Sequence, residues 1–561
     1  MRNLYNFSYL LFAFILLTTT GIVAQESTEG IITGNFQTDM QYYREDSTIG
    51  APRVPEYLLM NSYANFIYTK GKFSAGARFE SYLNTLQGFD SRNNGTGIPY
   101  KWARYTNDDL DFTVGNFYEQ FGSGLIFRSY EEKTLGYDNA MDGVRVKYKP
   151  IEGIYLTGII GKQRAFFQED SKGFSYLKNG QGLVRGFDAE FYLNEVISCL
   201  VEKKTKISLA GSVVSKYQQD KDPIYNLPEN VSAFSSRLNI NHGKISFSSE
   251  YVYKINDPSL DNNYIYKNGQ ALLLNASYSQ KGLGVYLTAK RVDNMSFRSD
   301  RDANLSNLNI NYIPLIAKTH TYSLAAMYPY ASQPNGEMGF QGEVMYKIKK
   351  ESKLGGKYGT NISLNFSTVF DTDKSELNDS TAIGQTGTLG YNSNFFSVGN
   401  DAFYQDFNVE INKKVSKKLS FILSYVNIFY NYNIIRGMTG HENIFSTIFI
   451  AETNYKINAN NSIRTEIQTL FTEQENGEWM MGMLEYSVAP HWFFSILDQY
   501  NYGNPANMKI HYYSGSIGYV KNTTRIQISY GKQREGILCV GGVCRSVPAS
   551  NGLTVSISSS F

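Results

Sequence analysis

The last nine residues, Leu553 to Phe561 (LTVSISSSF), constrain this chain more than any other stretch. Read with a period of two, Leu553, Val555, Ile557 and Phe561 fall on one face of a strand, and Thr554, Ser556, Ser558 and Ser560 on the other. Edge strands of soluble sheets are blunted with Lys, Pro or charge, and this one has none. It reads as a strand that is paired, and the natural partner is the first strand of the mature chain. A sheet whose last strand pairs with its first is a closed barrel, the β-structure that crosses lipid without orphaned backbone groups.

The same grammar recurs along the chain. From Ile32 to Tyr42, the residues Ile32, Phe36, Met40 and Tyr42 oppose Asn35, Gln37, Asp39 and Gln41. From Phe73 to Leu83 an apolar face alternates with Ser74, Gly76, Arg78, Glu80 and Tyr82, and that charged face is cheap only if it is wet. Segments at 358–367, 463–471 and 525–530 repeat the pattern. Short turns, such as Thr69 to Lys72 and Lys521 to Thr523, alternate with longer polar links such as 85–100, 371–401 and 535–551. That asymmetry is the signature of an outer-membrane barrel with short periplasmic turns and long extracellular loops. The expected fold is all-β, a single large antiparallel transmembrane β-barrel of about 26 strands, range roughly 22–28. The count includes the least regular segments, near Trp102, at Leu305 to Tyr312 and at Lys318 to Tyr328.

Composition supports the lipid setting. Mean hydropathy is -0.34, yet 44 Tyr and 35 Phe are present, and tyrosine suits the headgroup level. No stretch after the leader is long and apolar enough for a helical span. Met1 to Ala24 reads as a signal peptide, with Arg2, an apolar run Leu10 to Leu17 and a small residue at the cut, so 25–561 is expected to be the barrel. Strands begin by about residue 30, which leaves no room for an N-terminal plug domain. A net charge of +2 with no basic block argues against nucleic acid. Cys539 and Cys544 enclose two glycines and could close as a small disulfide hairpin.

A ring of about 26 strands would be on the order of 50 Å across. Side chains cannot fill that, so part of the chain should fold inward. The candidate is 119–142, which joins glycines, the apolar patch Leu125-Ile126-Phe127 and charges of both signs. Arg128, Glu131, Glu132, Lys133, Asp138, Asp142 and the adjacent Arg145 are the expected lumen constriction. Tyr328 to Met338, with two prolines and Asn-Gly, reads as a stiff extracellular turn. Gly-Lys-Gln-Arg occurs at 161–164 and 531–534, where Lys and Arg could meet lipopolysaccharide phosphates. Asp46-Ser47-Thr48 and Asp379-Ser380-Thr381 resemble an Asp-Ser/Thr O-glycosylation motif of Bacteroidota. No catalytic motif is present and no cofactor is implied. His242, His320, His441, His491 and His511 stand singly as turn or interfacial residues, and only His441-Glu442 could be weighed as a dyad.

The runs Val114 to Leu125, Asp138 to Val144 and Tyr328 to Phe340 resemble an uncharacterised Bacteroidota family of outer-membrane barrel proteins. The C-terminal phenylalanine likewise resembles the aromatic signal of outer-membrane barrels. The resemblance implies fold and location and brings no activity with it. The first functional expectation is a channel or transporter for polar solutes with a partly occluded lumen. The second is a plugged barrel that docks surface lipoproteins or an envelope secretion or assembly machine. A barrel-borne hydrolase comes third. Outer-membrane lipid and lipopolysaccharide are the expected surroundings.

Overall fold

The computed structural model describes residues 30–169, 175–303, 307–506 and 508–561; the Met1 to Ala24 leader lies outside the described residues. One antiparallel sheet of 24 strands runs from Ile31–Arg44 to Ser550–Ser560. The first and last strands pair from Asn35 with Ser560 to Arg44 with Asn551. Gly34 and Phe561 exchange backbone hydrogen bonds of 2.9 Å in both directions. The sheet is therefore a closed barrel.

The strand number falls inside the expected range, and the excess has a physical source. The stretch near Trp102 is a wall strand, Gly95–Thr106. The described part of Leu305 to Tyr312 and all of Lys318 to Tyr328 lie instead within the link 294–336, between the wall strands Leu283–Asp293 and Glu337–Ile348. Their apolar and polar residues alternate like those of a strand, but the apolar side is buried against other parts of the protein, as Leu324 and Tyr328 are, while Thr319 and Thr321 stay exposed.

The outer face is apolar and edged by two aromatic belts. Tyr68, Phe73, Tyr105, Tyr346, Tyr455 and Trp492 lie next to the short turns. Tyr42, Tyr217, Phe445, Tyr513 and Tyr530 lie near the opposite rim, all between 38% and 60% exposed in the isolated chain. Between the belts, exposed residues such as Leu209, Leu287, Leu364, Leu423 and Ile496 supply an outward apolar band.

Three links at the end opposite the short turns fold into or over the lumen. The first, 118–140, forms a hairpin of Glu119–Phe121 on Phe127–Ser129. Its turn needs glycine at Gly122 (φ +55°) and Gly124 (φ +95°), and the space a Cβ would fill at Gly122 is taken by Arg237, 2.6 Å away. Phe121, Leu125, Ile126 and Phe127 are buried against Ile159, Val184, Val214 and Val252 of the wall. Each such side chain contributes roughly 1.5–3 kcal/mol relative to exposure.

The second link, 294–336, crosses to the far wall. Leu324, Met327, Tyr328 and Tyr330 are buried with Tyr404, Val426, Tyr430 and Leu470. The expectation of an extracellular turn at Tyr328 to Met338 is thus corrected: the prolines stiffen the segment, but its tyrosines are buried inside, and Glu337 already begins a wall strand. The third link carries the hairpin Gly536–Val540 on Val543–Val547, closed by a Cys539–Cys544 disulfide. It lies over the plug: the Tyr312 hydroxyl donates to the Gly541 carbonyl (2.5 Å), and Arg545 donates to the Thr134 carbonyl (3.0 Å).

Candidate functional site

The site is the lumen where the inward links meet the wall. The two longer links are joined to each other. Arg128 N–H donates to the Ile310 carbonyl and Tyr312 N–H to the Gly124 carbonyl, both at 2.9 Å. The Arg128 guanidinium lies between the rings of Tyr130 and Tyr312, 4.1 and 4.2 Å from their centres. Asn139 donates to the carbonyls of Arg128 (3.1 Å) and Asn309 (2.8 Å), so one amide spans both links.

A charged cluster fastens the first link to the wall. Arg78, in the middle of the strand Phe73–Leu83, reaches Glu80 (2.6 Å), Glu131 (2.9 Å) and Asp138 (2.5 Å). Arg164 holds the second oxygen of Glu80 (2.5 Å) and shares the Asp138 Oδ2 with Arg78 (2.7 Å). Arg78 and Glu80 are 3% and 1% exposed, which corrects the expectation of a wet face. The charges face the lumen as their alternation required, but they are matched by protein rather than by water: Glu80 by the wall residues Arg78 and Arg164, and Arg78 by Glu131 and Asp138 of the plug as well.

The two plug carboxyls that meet Arg78 are driven in opposite directions. Burial pulls the Asp138 carboxyl up, but Arg164 and Arg78, the Ala140 N–H and the Tyr118 hydroxyl (3.1 Å) overcome it and hold it below its usual value. For Glu131, burial outweighs Arg78 and pushes the carboxyl up.

The remaining residues expected at a constriction are also engaged. Glu132 caps Thr134, and the Lys133 ammonium lies 3.8 Å from the centre of the Tyr63 ring. Asp142 belongs to the wall strand Met141–Ile151 and accepts from Asn179 (3.0 Å). Arg145, on the same strand, contacts Asp111 (3.2 Å), Glu119 (3.5 Å) and the Tyr118 carbonyl (3.3 Å). The structure thus gathers Arg78, Glu80 and Arg164 around Glu131 and Asp138, three wall residues not included among the expected constriction residues. Arg164 was hidden because a register irregularity between Lys162 and Arg164 leaves both Gln163 and Arg164 buried and bonded to lumen groups.

Other sequence features resolve similarly. Neither Gly-Lys-Gln-Arg arginine presents itself to lipid phosphates: Arg164 sits in the cluster just described, and Arg534 lies 6.0 Å from the Trp479 ring centre. His320 is not a turn residue; within the plug it meets Asp406 at 2.8 Å, beside Lys318 on Asn408 (3.1 Å) and Tyr322 on Glu452 (3.2 Å). His441 stacks on Tyr432 in an exposed link. The two Asp-Ser-Thr tripeptides lie in links at the same end as the plug entrances, with Asp46 tied to Lys532 (2.7 Å).

A family model, "Family of unknown function (DUF6029)", matches residues 1–561. The chain belongs to that family. No curated protein matches this DUF6029 chain. Among solved structures, the siderophore receptor PirA from Pseudomonas aeruginosa is similar at 10% identity and TM-score 0.38, over 94% of this chain and 80% of that one. The P pilus usher (PapC) translocation pore is similar at 8% identity and TM-score 0.38, over 94% and 99%. OpdQ of Pseudomonas aeruginosa is similar at 10% identity and TM-score 0.31, over 84% and 97%.

Proposed function

We propose that the protein is an outer-membrane channel for polar solutes whose resting state is closed by its own inward links. The apolar band between aromatic belts supports the membrane location, with lipopolysaccharide around the rim of long links. The observation that carries the channel reading is the chemistry of the lumen below the plug. Inward side chains there are small and polar and bond across strands, as Asn239 to Ser208 (3.1 Å), Asn275 to Ser248 (3.2 Å) and Asn65 to Asn35 (2.7 Å). A recess at the short-turn end, lined by Asp111, Lys147, Asp188 and Glu190, ends against Glu119 and Gln120 of the first link. Beside the plug, by contrast, inward wall residues are buried, either apolar against Leu125 to Phe127, as Val184, Val214 and Val252, or charged and paired, as Arg78 and Arg164. In this reading Arg128, Glu131, Glu132, Lys133, Asp138, Asp142 and Arg145 hold the gate.

Solute efflux from liposomes tests it. Wild type is expected to retain small sugars and amino acids, and a variant shortened in both long links is expected to release them. Retention by a folded double variant would remove the channel reading. A second reading is supported by the buried contacts that fix each long link to a wall, Asp138 with Arg164 on one side and His320 with Asp406 on the other. Pairs this dry are costly to part, which suits a permanently plugged scaffold that docks surface lipoproteins or an envelope machine. Stoichiometric co-purification of such partners in mild detergent, without any efflux, would favour it.

A further inference from the structure

We propose that the recess between the first link and the opening wall strands binds a small zwitterion of the amino-acid class, clasped between Lys133 and Glu131. The recess is walled by the rings of Tyr63, Tyr82 and Phe89 and reaches down to Asp138 and Arg164. Its floor is satisfied, since Arg164 and Arg78 share Glu80 and Asp138. Two charges above that floor are not. Lys133 rests on the Tyr63 ring and has no hydrogen-bond acceptor among the described residues. Glu131 gives Oε1 to Arg78 at 2.9 Å, and its Oε2 has no donor among the described residues.

The two residues lie two positions apart, so their Cα atoms are at most about 7 Å from one another; both line the same recess, and no ion pair joins them among the described residues. A cation and an anion are therefore held apart across a gap with aromatic walls. A free amino acid presents the complementary order: its carboxylate meets Lys133, its ammonium meets Glu131, and its side chain lies on the rings. Burial pushes the Glu131 carboxyl up and the Lys133 ammonium down, as expected of charges lacking full compensation. A ligand carrying both charges supplies what is missing, whereas a neutral sugar would stack and leave both as they are. The inference goes beyond the channel reading, because the recess can bind whether or not the lumen conducts.

Calorimetric titration of the full chain in detergent decides it, with glycine, L-alanine and L-glutamine as probes and glucose and acetate as comparisons. Saturable binding of the amino acids is expected, with acetate much weaker and glucose inert. Lys133→Met should weaken binding about tenfold or more, by loss of a charge-assisted hydrogen bond, while Lys133→Arg should retain it at an unchanged melting temperature. Absence of saturable binding by all three amino acids in wild type would overturn the proposal without bearing on efflux. Glucose binding as tightly as they do would overturn it too, as would a folded Lys133→Met protein that binds like wild type.

Discussion

At the residue scale, the decisive fact is that inward charges are paired with the plug. Replacing Arg164 with Ala leaves Glu80 and Asp138 in a dry site with Arg78 as the one cation still paired with both among the described residues. A loss of about 3–5 kcal/mol is expected, as for other broken buried pairs, measured by denaturant unfolding in detergent. The facing of wall residues is testable in the same way. Leu364 faces outward and is 41% exposed, so Leu364→Arg should cost about 2–4 kcal/mol if it lies at the bilayer midplane. Its neighbour Asn365 is unsuitable as a control, because its lumen face is buried and bonded to Gln341 and Ser367. Ser363, inward and half-buried nearer the short turns, is the better control, and Ser363→Arg should cost much less. Acid sensitivity follows from Asp138, whose carboxyl is held below its usual value. Its contribution is complete above the ordinary carboxylate range and is lost as pH falls through the lowered value. Glu131 has the opposite sign, so protonating it relieves the folded state rather than weakening it. The melting temperature should lose nothing to Asp138 between about pH 7 and 5 and fall below about pH 4. Asp138→Asn should start lower and flatten that acid limb. The sequence made Arg78 and Glu80 legible as an inward pair, but not their partners, because the irregularity before Arg164 breaks the alternation on which facing is read.

At the element scale, the two long links were unequally legible. Residues 118–140 announced themselves through Gly122, Gly124 and the patch Leu125 to Phe127, which no exposed link would keep wet. The link 294–336 did not, because Lys318 to Tyr328 alternates as a wall strand does. Alternation reports that two faces differ, not that one of them meets lipid. The consequence bears on any attempt to open the lumen. Removing 119–140 alone, with the wall residues Met141 and Asp142 kept, should leave 294–336 fixed to the far wall through His320, Tyr322 and Leu324. That single deletion should therefore raise trypsin sensitivity within 294–336 while efflux stays low. Efflux equal to that of the double deletion would mean the second link does not close its half of the lumen.

At the scale of the whole molecule, closure was the most legible property. A terminal strand without Lys, Pro or charge needs a partner, and the first strand supplies it with the Gly34–Phe561 pair at the seam. What the sequence could not reveal is how far the lumen is filled, because wall strands beside the plug and below it share one hydrophobic period. Single-channel recording in planar bilayers addresses this most directly, comparing wild type with a variant in which both 119–140 and 294–336 are replaced by short flexible linkers. Wild type is expected to be silent and the double variant to open in large, stepwise conductances. A wild type that conducts freely at rest, or a folded double variant that stays silent, would contradict the account.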